Sequence, residues 1–171
     1  MLGSLKENGN NNIIHIPIGC FLYFLKRKEV KIDSATFKYT GQVSSQKKIN
    51  LIDYAYLYLN TPYLWGGRTP LGIDCSGLVQ MAYKLCGIKL PRDSCQQAEL
   101  GKKVIDLSKA KKGDLCFFGE RNKITHVGLL INKKLIIHAS GKVKIEKIDE
   151  KGIYNEESQT YTHLLKLIKR I

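Results

Sequence analysis

The pattern of apolar and polar residues changes near residue 46. Before this point, "EVKIDSATFKYTG" (29–41) alternates apolar with charged or polar residues and ends at a glycine, which is typical of short strands. The preceding apolar run, "IIHIPIGCFLYFL" (13–25), is interrupted by a histidine, a proline and a glycine, and we interpret it as a buried strand and turn. Residues 1–46 are therefore predicted to form a short strand-rich segment followed by a polar linker.

Two later segments have the spacing of helices. In "INLIDYAYLYLNTPY" (49–63) the apolar residues recur every three or four positions and stop before a proline. In "DCSGLVQMAYKLCG" (74–87) Asp74 can act as the N-cap and Gly87 as the stop. This assignment places Cys75 in the first turn of the second helix.

A predicted hairpin follows in "THVGLLINKKLIIHASG" (125–141), after a β-like "GDLCFFG". If residues 132–134 form a three-residue loop, Gly128 opposes His138, and His126 and His138 become diagonal neighbours on one face. A two-residue loop would place the two histidines on opposite faces. The tail, "YTHLLKLIKRI", fits either an amphipathic helix or a terminal strand.

The chain has 171 residues, which favours one catalytic domain with a small appendage. No stretch reaches the ~18 consecutive apolar residues that span a membrane, and the N-terminal "MLGSLKENGNNN" is polar where a secretory signal is apolar. We therefore expect no membrane span. We also expect the protein to be a monomer. As the sequence stands it would be cytoplasmic, or in the cell envelope if a further segment precedes it.

The net charge of +13 would suit an anionic partner such as nucleic acid, teichoic acid or the cell wall. However, the basic residues occur in scattered pairs such as Lys111-Lys112 and Lys133-Lys134, without interleaved aromatic residues. We interpret them as solvated surface and expect no nucleic-acid partner.

Five cysteines at scattered positions include no CxxC pair. This spacing favours neither a disulfide framework nor a metal site, and we expect no metal and no cofactor. Cys75 differs from the other four because it follows a glycine-rich approach and lies between Asp74 and Ser76.

Cys75 is the candidate nucleophile. A helix N-terminus lowers the pKa of a thiol, and a nearby imidazole can take its proton. In the three-residue-loop register His126 would be the base and later the acid, and His138 would orient it. Taken singly, each has a plainer interpretation: Cys75 as a small buried apolar residue, and the histidines as hydrogen-bonded sheet residues.

Five segments together resemble the NlpC-type cell-wall peptidases, which are papain-like cysteine peptidases that cut bacterial peptidoglycan stem peptides. In order, they are "YLWGGRTPLGIDCSGLVQ", "PRDSCQQ", "KKGDLCFF", "THVGLLI" and "IIHAS". The resemblance covers residues 48–171. It implies an α+β fold with a papain-like core, in which the cysteine helix packs on an antiparallel sheet, and a triad of Cys75, His126 and His138.

The same resemblance implies roles for six further residues. Tyr63 would help to stabilise the oxyanion together with the backbone N–H of Cys75, and Trp65, Asp74, Ser76, Asp93 and Ser94 would line the substrate side. Structural interpretations stay open beside these roles. Tyr63 could be a core aromatic residue, Trp65 could pack on the glycine turn, Asp74 could be an N-cap, and Asp93 and Ser94 could cap a helix.

The forms of the first two motifs are most similar to the subgroup that cleaves γ-D-glutamyl–diamino acid bonds, the dipeptidyl-peptidase VI type. Its members carry bacterial SH3-like domains, and residues 1–46 would be a partial one, because a complete barrel needs ~60 residues. The expected partner is thus peptidoglycan or a muropeptide. Two alternatives remain: a catalytically idle wall-binding module, and a papain-like amidase or acyltransferase with another substrate.

Overall fold

Strands dominate both parts of the chain in the computed structural model. The chain divides into two units, residues 1–47 and 48–171. The boundary expected after residue 46 falls in a segment outside the described residues. The structure describes residues 2–23, 25–43, 50–121 and 123–171.

In the described part of the first unit, four short antiparallel strands form a sheet in the order β2-β1-β4-β3. Their bounds are β1 Leu2–Glu7, β2 Ile13–Pro17, β3 Glu29–Ile32 and β4 Ala35–Thr40. One side of this sheet carries a small core of its own, made of Leu5, Val30, Phe37 and Tyr39.

The apolar run 13–25 is not buried as the sequence pattern suggested. Ile13, Ile14, Phe21 and Tyr23 are exposed, whereas Ile16, Leu22 and Leu25 are half-buried and pack against the core of this unit. The reason is that β2 is an edge strand of a four-stranded sheet that buries one face only. Phe24 lies outside the described residues.

Among the described residues of the second unit there are three short helices: α1 Leu51–Tyr56, α2 Cys75–Leu85 and α3 Ser94–Ala98. The side chain of Asn50 caps α1. This helix ends earlier than its apolar spacing predicted, because tight i to i+3 hydrogen bonds replace the helical ladder after Tyr56. None of the described helices is long and apolar enough to cross a membrane.

The second unit also contains a two-stranded hairpin, β5 Arg68–Thr69 and β6 Gly72–Ile73, and a seven-stranded antiparallel sheet in the order β12-β11-β10-β9-β8-β13-β7. The strands of the large sheet are β7 Lys102–Val104, β8 Leu115–Glu120, β9 Lys123–Asn132, β10 Leu135–Ser140, β11 Lys142–Ile148, β12 Gly152–Asn155 and β13 Thr160–Arg170.

An additional pairing between β12 and β13 closes six of these strands into a barrel-like sheet. The α+β composition and the antiparallel sheet are as expected, and the closure is a feature that the sequence did not predict. Inside the closed sheet lies an apolar cluster that includes Phe118, Leu130, Ile136 and Ile153. The tail is β13, which settles the ambiguity between helix and strand.

The β9–β10 hairpin reaches the expected register by an unexpected route. Its loop has two residues, Lys133 and Lys134, and Leu135 pairs with Asn132, so the predicted three-residue loop is wrong. A bulge between Leu135 and Ile136 then shifts the register by one residue. From Ile136 onward the pairing is as predicted, and His138 opposes Gly128.

Candidate active site

A glycine-rich loop lies against the start of α2. A Cβ atom at Gly67 would lie 2.4 Å from the carbonyl oxygen of Gly72, and one at Gly77 would lie 2.5 Å from that of Gly67. In both cases the added Cβ atom would meet a backbone atom, so neither position has room for a side chain. The loop therefore packs on the first helical turn, where Cys75 is buried with 7% of its surface exposed.

Asp74 organises this turn. Its carboxylate caps α2 by accepting the N–H of Gly77 at 2.7 Å, and it also accepts the N–H of Gly66 at 2.8 Å. Burial opposes ionisation, but the hydrogen bonds from Arg92, Gly77 and Gly66 outweigh it and hold the pKa of Asp74 below its ordinary value. The N-cap interpretation of Asp74 is thus confirmed.

Arg92 is a member of the site that the sequence reasoning missed. Its guanidinium forms an ion pair with both carboxylate oxygens of Asp74 and donates to the hydroxyl of Ser76 at 2.9 Å. Its place directly before Asp93 in the "PRDSCQQ" motif was the available signal. Asp74 and Ser76 therefore belong to one hydrogen-bonded group with an arginine.

The environment of Cys75 differs from the one that its helix position suggested. Burial raises the pKa of the thiol, and the Asp74 carboxylate adds to this, although backbone N–H groups including that of Val127 oppose it. The expected lowering of the pKa is therefore wrong in direction. The resting residue is a neutral thiol, and its sulfur lies against the backbone N–H of Val127 on β9, the residue that follows His126.

His126 and His138 face each other across the β9–β10 pair. Nε2 of His126 lies 2.9 Å from Nδ1 of His138, and the rings are perpendicular. The predicted same-face placement is confirmed. Gly128 makes it possible, since a Cβ atom there would lie 3.0 Å from that of His138 and 2.8 Å from a methyl group of Ile136.

Burial keeps both imidazoles neutral. It is the largest cause that holds the pKa of His126 well below its ordinary value, followed by His163, His138 and Lys144. For His138 burial also lowers the pKa, more than the neighbouring Glu146 raises it. A neutral imidazole has a lone pair and can therefore act as a general base toward a thiol.

Two polar residues on the next strands continue this chain of contacts. Nε2 of His138 lies 2.8 Å from Oε2 of Glu146, and Nδ2 of Asn155 donates to Oε1 of the same carboxylate. The sequence reasoning missed both. A single acidic residue within the lysine-rich strand "KVKIEKI" is a weak signal, and only the pairing of β10 with β11 reveals its partner.

His163 is a third histidine at the site, and the sequence reasoning gave it no role. Its ring stacks on that of His126 with the centroids 4.0 Å apart and the planes at 28°. Burial, and then His138, lower the pKa of His163 to about 4. Its strand could not be distinguished from a helix in the sequence, so its approach to His126 was hidden.

The three histidines have ring nitrogens within 4.8 Å of one another. A metal ion accepts lone pairs that lie in the ring planes and converge on one point, at about 2.0 Å for zinc. The rings of His126 and His163 are stacked with their planes only 28° apart, so their in-plane lone pairs lie in two layers, and one nitrogen of His126 already contacts His138. The arrangement suits proton transfer better than metal binding.

A model of the NlpC/P60 family matches residues 60–162. The matched segment is more than half of the chain and contains Cys75, His126 and His138. The chain belongs to the NlpC/P60 family.

Relatives of this NlpC/P60 chain include named peptidases. Dipeptidyl-peptidase 6 of Lysinibacillus sphaericus is 39% identical over 115 residues, which are 65% of this chain and 41% of the relative. Gamma-D-glutamyl-L-lysine dipeptidyl-peptidase of Bacillus subtilis is 40% identical over 123 residues, 67% of this chain and 41% of the relative. The chain therefore spans less than half the length of these relatives.

A crystal structure of an NlpC/P60 family protein from Bacillus cereus has the same fold. The alignment covers 99% of this chain and 60% of that chain, with a TM-score of 0.73 and 24% identity. At this identity the likeness shows the fold alone.

The other residues expected at the NlpC/P60 site differ from one another in burial and in hydrogen bonding. They are Tyr63, Trp65, Asp93 and Ser94. Burial, and then Cys75 and Asp74, raise the pKa of Tyr63, so its hydroxyl keeps its proton near the thiol. Trp65 is 84% exposed, so it does not pack on the glycine turn. Asp93 has the N-cap position of α3, where its backbone N–H donates to the Gln96 side chain, and Ser94 is the first helical residue.

Proposed function

We propose that the NlpC/P60 unit is a cysteine peptidase that hydrolyses peptidoglycan stem peptides at the bond between the γ-carbonyl of D-glutamate and the following diamino acid. The observation that carries this proposal is the placement of the neutral thiol of Cys75, at the start of α2, against the backbone N–H of Val127. Val127 directly follows His126, whose buried ring pairs with His138. The names of the relatives from Lysinibacillus sphaericus and Bacillus subtilis support the substrate class.

In the proposed acylation step, the thiol proton of Cys75 moves to His126 as the sulfur attacks the γ-carbonyl carbon. The C–S bond forms and the carbonyl electron pair moves to oxygen. The backbone N–H of Cys75 and the protonated hydroxyl of Tyr63 would stabilise this oxyanion. When the carbonyl re-forms, the C–N bond breaks and His126 gives its proton to the departing amine.

Deacylation reverses these roles. His126 takes a proton from water, the hydroxide attacks the thioester carbon, and the C–S bond breaks. The sulfur recovers its proton from His126, so thiol and imidazole are both neutral again. This chemistry needs no cofactor.

On the substrate side, the proposed contacts are Trp65, Asp74, Ser76, Asp93 and Ser94. The exposed indole of Trp65 offers an apolar wall beside the glycine-rich loop. Asp74 is ionised and charge-paired with Arg92, so the pair can orient polar groups of a short peptide. Asp93 is exposed at the start of α3 and can also orient polar groups of a short peptide.

The deciding experiment is digestion of the tripeptide L-Ala-γ-D-Glu-diaminopimelate with products identified by mass spectrometry. We expect L-Ala-D-Glu and free diaminopimelate, with no turnover in Cys75→Ala or His126→Ala. In His138→Ala the rate should fall by orders of magnitude, because an orienting partner acts through geometry and tautomer. Cys95→Ala, at an exposed cysteine, is the control that should keep full activity.

Other results would select the alternatives. Binding to purified cell wall without cleavage of any stem peptide would favour an idle wall-binding module. Transfer of an acyl group to an added amine, or cleavage of a different amide, would favour an amidase or acyltransferase with the same nucleophile. Replacing diaminopimelate by lysine in the tripeptide would define the preferred diamino acid.

A further inference from the structure

Glu146 contacts the histidine pair through His138. It lies on β11, two residues beyond Lys144, which directly opposes His138 in the β10–β11 pair. One carboxylate oxygen faces Nε2 of His138 at 2.8 Å and Nζ of Lys144 at 3.1 Å. The other accepts Nδ2 of Asn155 at 2.5 Å. Both oxygens are therefore held by donors, and 9% of the side chain is exposed.

We propose that Glu146 is a positioning residue that selects the tautomers of both His138 and His126, and thereby leaves Nδ1 of His126 unprotonated for the thiol of Cys75. The role in thiol chemistry rests on the proposed peptidase function. The tautomers themselves follow from the contacts of the three side chains and can be measured separately.

The contact with Glu146 fixes the tautomer of His138. An ionised carboxylate can only accept hydrogen bonds, so the ring nitrogen that faces it must carry the proton. The contact from Nε2 of His138 to Glu146 therefore makes this neutral ring the Nε2–H tautomer. Its Nδ1 is then a lone-pair acceptor.

The tautomer of His138 in turn fixes the tautomer of His126. Because Nδ1 of His138 has no proton, the 2.9 Å contact must be a hydrogen bond donated by Nε2–H of His126. A neutral imidazole has one N–H, so Nδ1 of His126 holds a lone pair. Glu146, two hydrogen bonds away, thus leaves His126 in the tautomer that can accept the thiol proton at Nδ1.

The charges around the two histidines agree with this assignment of tautomers. The hydrogen bonds from His138, Asn155 and Lys144 outweigh burial and hold the pKa of Glu146 at about 2, so the carboxylate is ionised at any pH where the protein would work. When His126 takes the thiol proton, the carboxylate helps to stabilise the imidazolium through His138. Lys144 offsets part of that negative charge, and His163 faces His126 from β13.

The test is NMR of the imidazole nitrogens in histidine-labelled protein, recorded above pH 7 in the absence of substrate. In the wild-type protein we expect His126 and His138 both to show the Nε2–H pattern. A protonated Nδ1 on either ring in the wild-type protein would overturn the proposal, and this outcome requires no variant.

Glu146→Gln then tests the cause. The amide keeps the shape but can turn its NH2 group toward His138, so we expect the Nδ1–H tautomer to appear in His138 and the His126 pattern to change with it. On the tripeptide, kcat should fall at least about tenfold with KM nearly unchanged, since the side chain acts through tautomer and not through substrate contact. Glu146→Asp, which keeps the charge, should restore the tautomers in part.

Glu156→Gln is the matched control, because Glu156 pairs with Lys147 at an exposed position nearby. It should change neither the tautomers nor kcat. Wild-type tautomers in Glu146→Gln would overturn the proposal whatever the activity. Conversely, the expected tautomers in a wild-type protein that does not cut the tripeptide would reject the peptidase function and leave the positioning of the histidines intact.

Discussion

Cys75 is neutral because its surroundings oppose a charge more strongly than the helix terminus favours it. Burial is the largest cause, and the ionised Asp74 next to it adds to the effect. The three backbone N–H groups around the sulfur, including those of Ser76 and Val127, would instead stabilise an anion that forms transiently. The residue is therefore arranged for general-base activation during the reaction, and not for a resting thiolate.

This arrangement predicts the pH dependence of alkylation. Below the pKa of a thiol the thiolate fraction rises about tenfold per pH unit, so the reaction of Cys75 with iodoacetamide should accelerate throughout pH 6 to 9. Peptide mapping by mass spectrometry should find the exposed Cys20 and Cys95 modified at least as fast as Cys75 at pH 6. A rate at Cys75 that is constant from pH 5 to 8 would reveal a preformed thiolate–imidazolium pair.

His163 is expected to influence the pKa of His126. It stacks on His126 and contributes, after burial, to the lowered pKa of that ring, which also faces His138 and Lys144. His126 must be neutral to accept a proton, so activity is lost as the pH falls through its pKa. His163→Ala removes a neighbouring charge and admits water, which should raise that pKa toward 6.5.

We therefore expect the acidic limb of the kcat/KM profile to move to higher pH in His163→Ala. In His163→Phe, which keeps a stacked ring, the movement should be smaller. His15→Ala serves as the control, since His15 lies on an exposed strand of the other unit. Superimposable profiles for all four proteins would show that His163 has no influence on the base.

At the level of elements, the β9–β10 pair determines whether the two histidines meet. Its two-residue loop alone would have separated them, and the bulge beside Ile136 returns them to one face. The sequence could predict the facing histidines, because their separation and Gly128 are local features. It could not distinguish a three-residue loop from a two-residue loop with a bulge, since both give the same register at His138.

Gly128→Ala tests this geometry. The added methyl group would lie within 3.0 Å of His138 and Ile136, which are fully buried, so neighbouring side chains would have to shift. Overpacking of this kind costs about 1 to 3 kcal/mol of unfolding free energy. We expect a folded protein with a lower melting temperature, a disturbed contact between the histidines, and kcat reduced more than KM is changed.

Thr125→Ala is a suitable control on the same strand, because Thr125 is exposed. It should leave melting temperature and kcat nearly unchanged. Wild-type kcat in Gly128→Ala would mean that the spacing of the two rings does not limit the reaction.

At the scale of the whole molecule, closure of the sheet assembles the site. His126, His138, Glu146, Asn155 and His163 come from five consecutive strands, β9 to β13. Each of the five residues is two or four positions along its own strand from a side chain that packs in or against the enclosed apolar cluster. It therefore lies on the same face of the sheet as that side chain. All five therefore face the inside of the closed sheet.

This is why the sequence revealed only part of the site. Cys75 and its cap depend on one helix start, and the histidine pair depends on one hairpin, so local patterns sufficed. Glu146 required a further strand pairing, and His163 required the contact of β13 with β12 and β8 across the closed sheet. Arg92 reaches Asp74 from outside any regular element, and no periodicity indicates such a contact.

The second unit is expected to fold independently of the first. The apolar cluster inside its closed sheet and the small core of the first unit are each made of residues from one unit alone. All the residues proposed for catalysis lie within residues 48–171. A segment of this length is large enough to bury a core that supports folding. Residues 48–171 expressed alone should therefore fold, as measured by circular dichroism and by a cooperative melting transition.

This shortened protein should cleave the tripeptide with a kcat within a few-fold of the full chain, and Cys75→Ala in the same background should abolish the activity. It should also be more soluble, because it lacks the exposed apolar side chains of Ile13, Ile14, Phe21 and Tyr23. If residues 48–171 fold but lose the tripeptide activity, then residues 1–47 must supply part of the substrate site. If they fail to fold, the second unit depends on the first for its stability, and the two cores act as one cooperative structure.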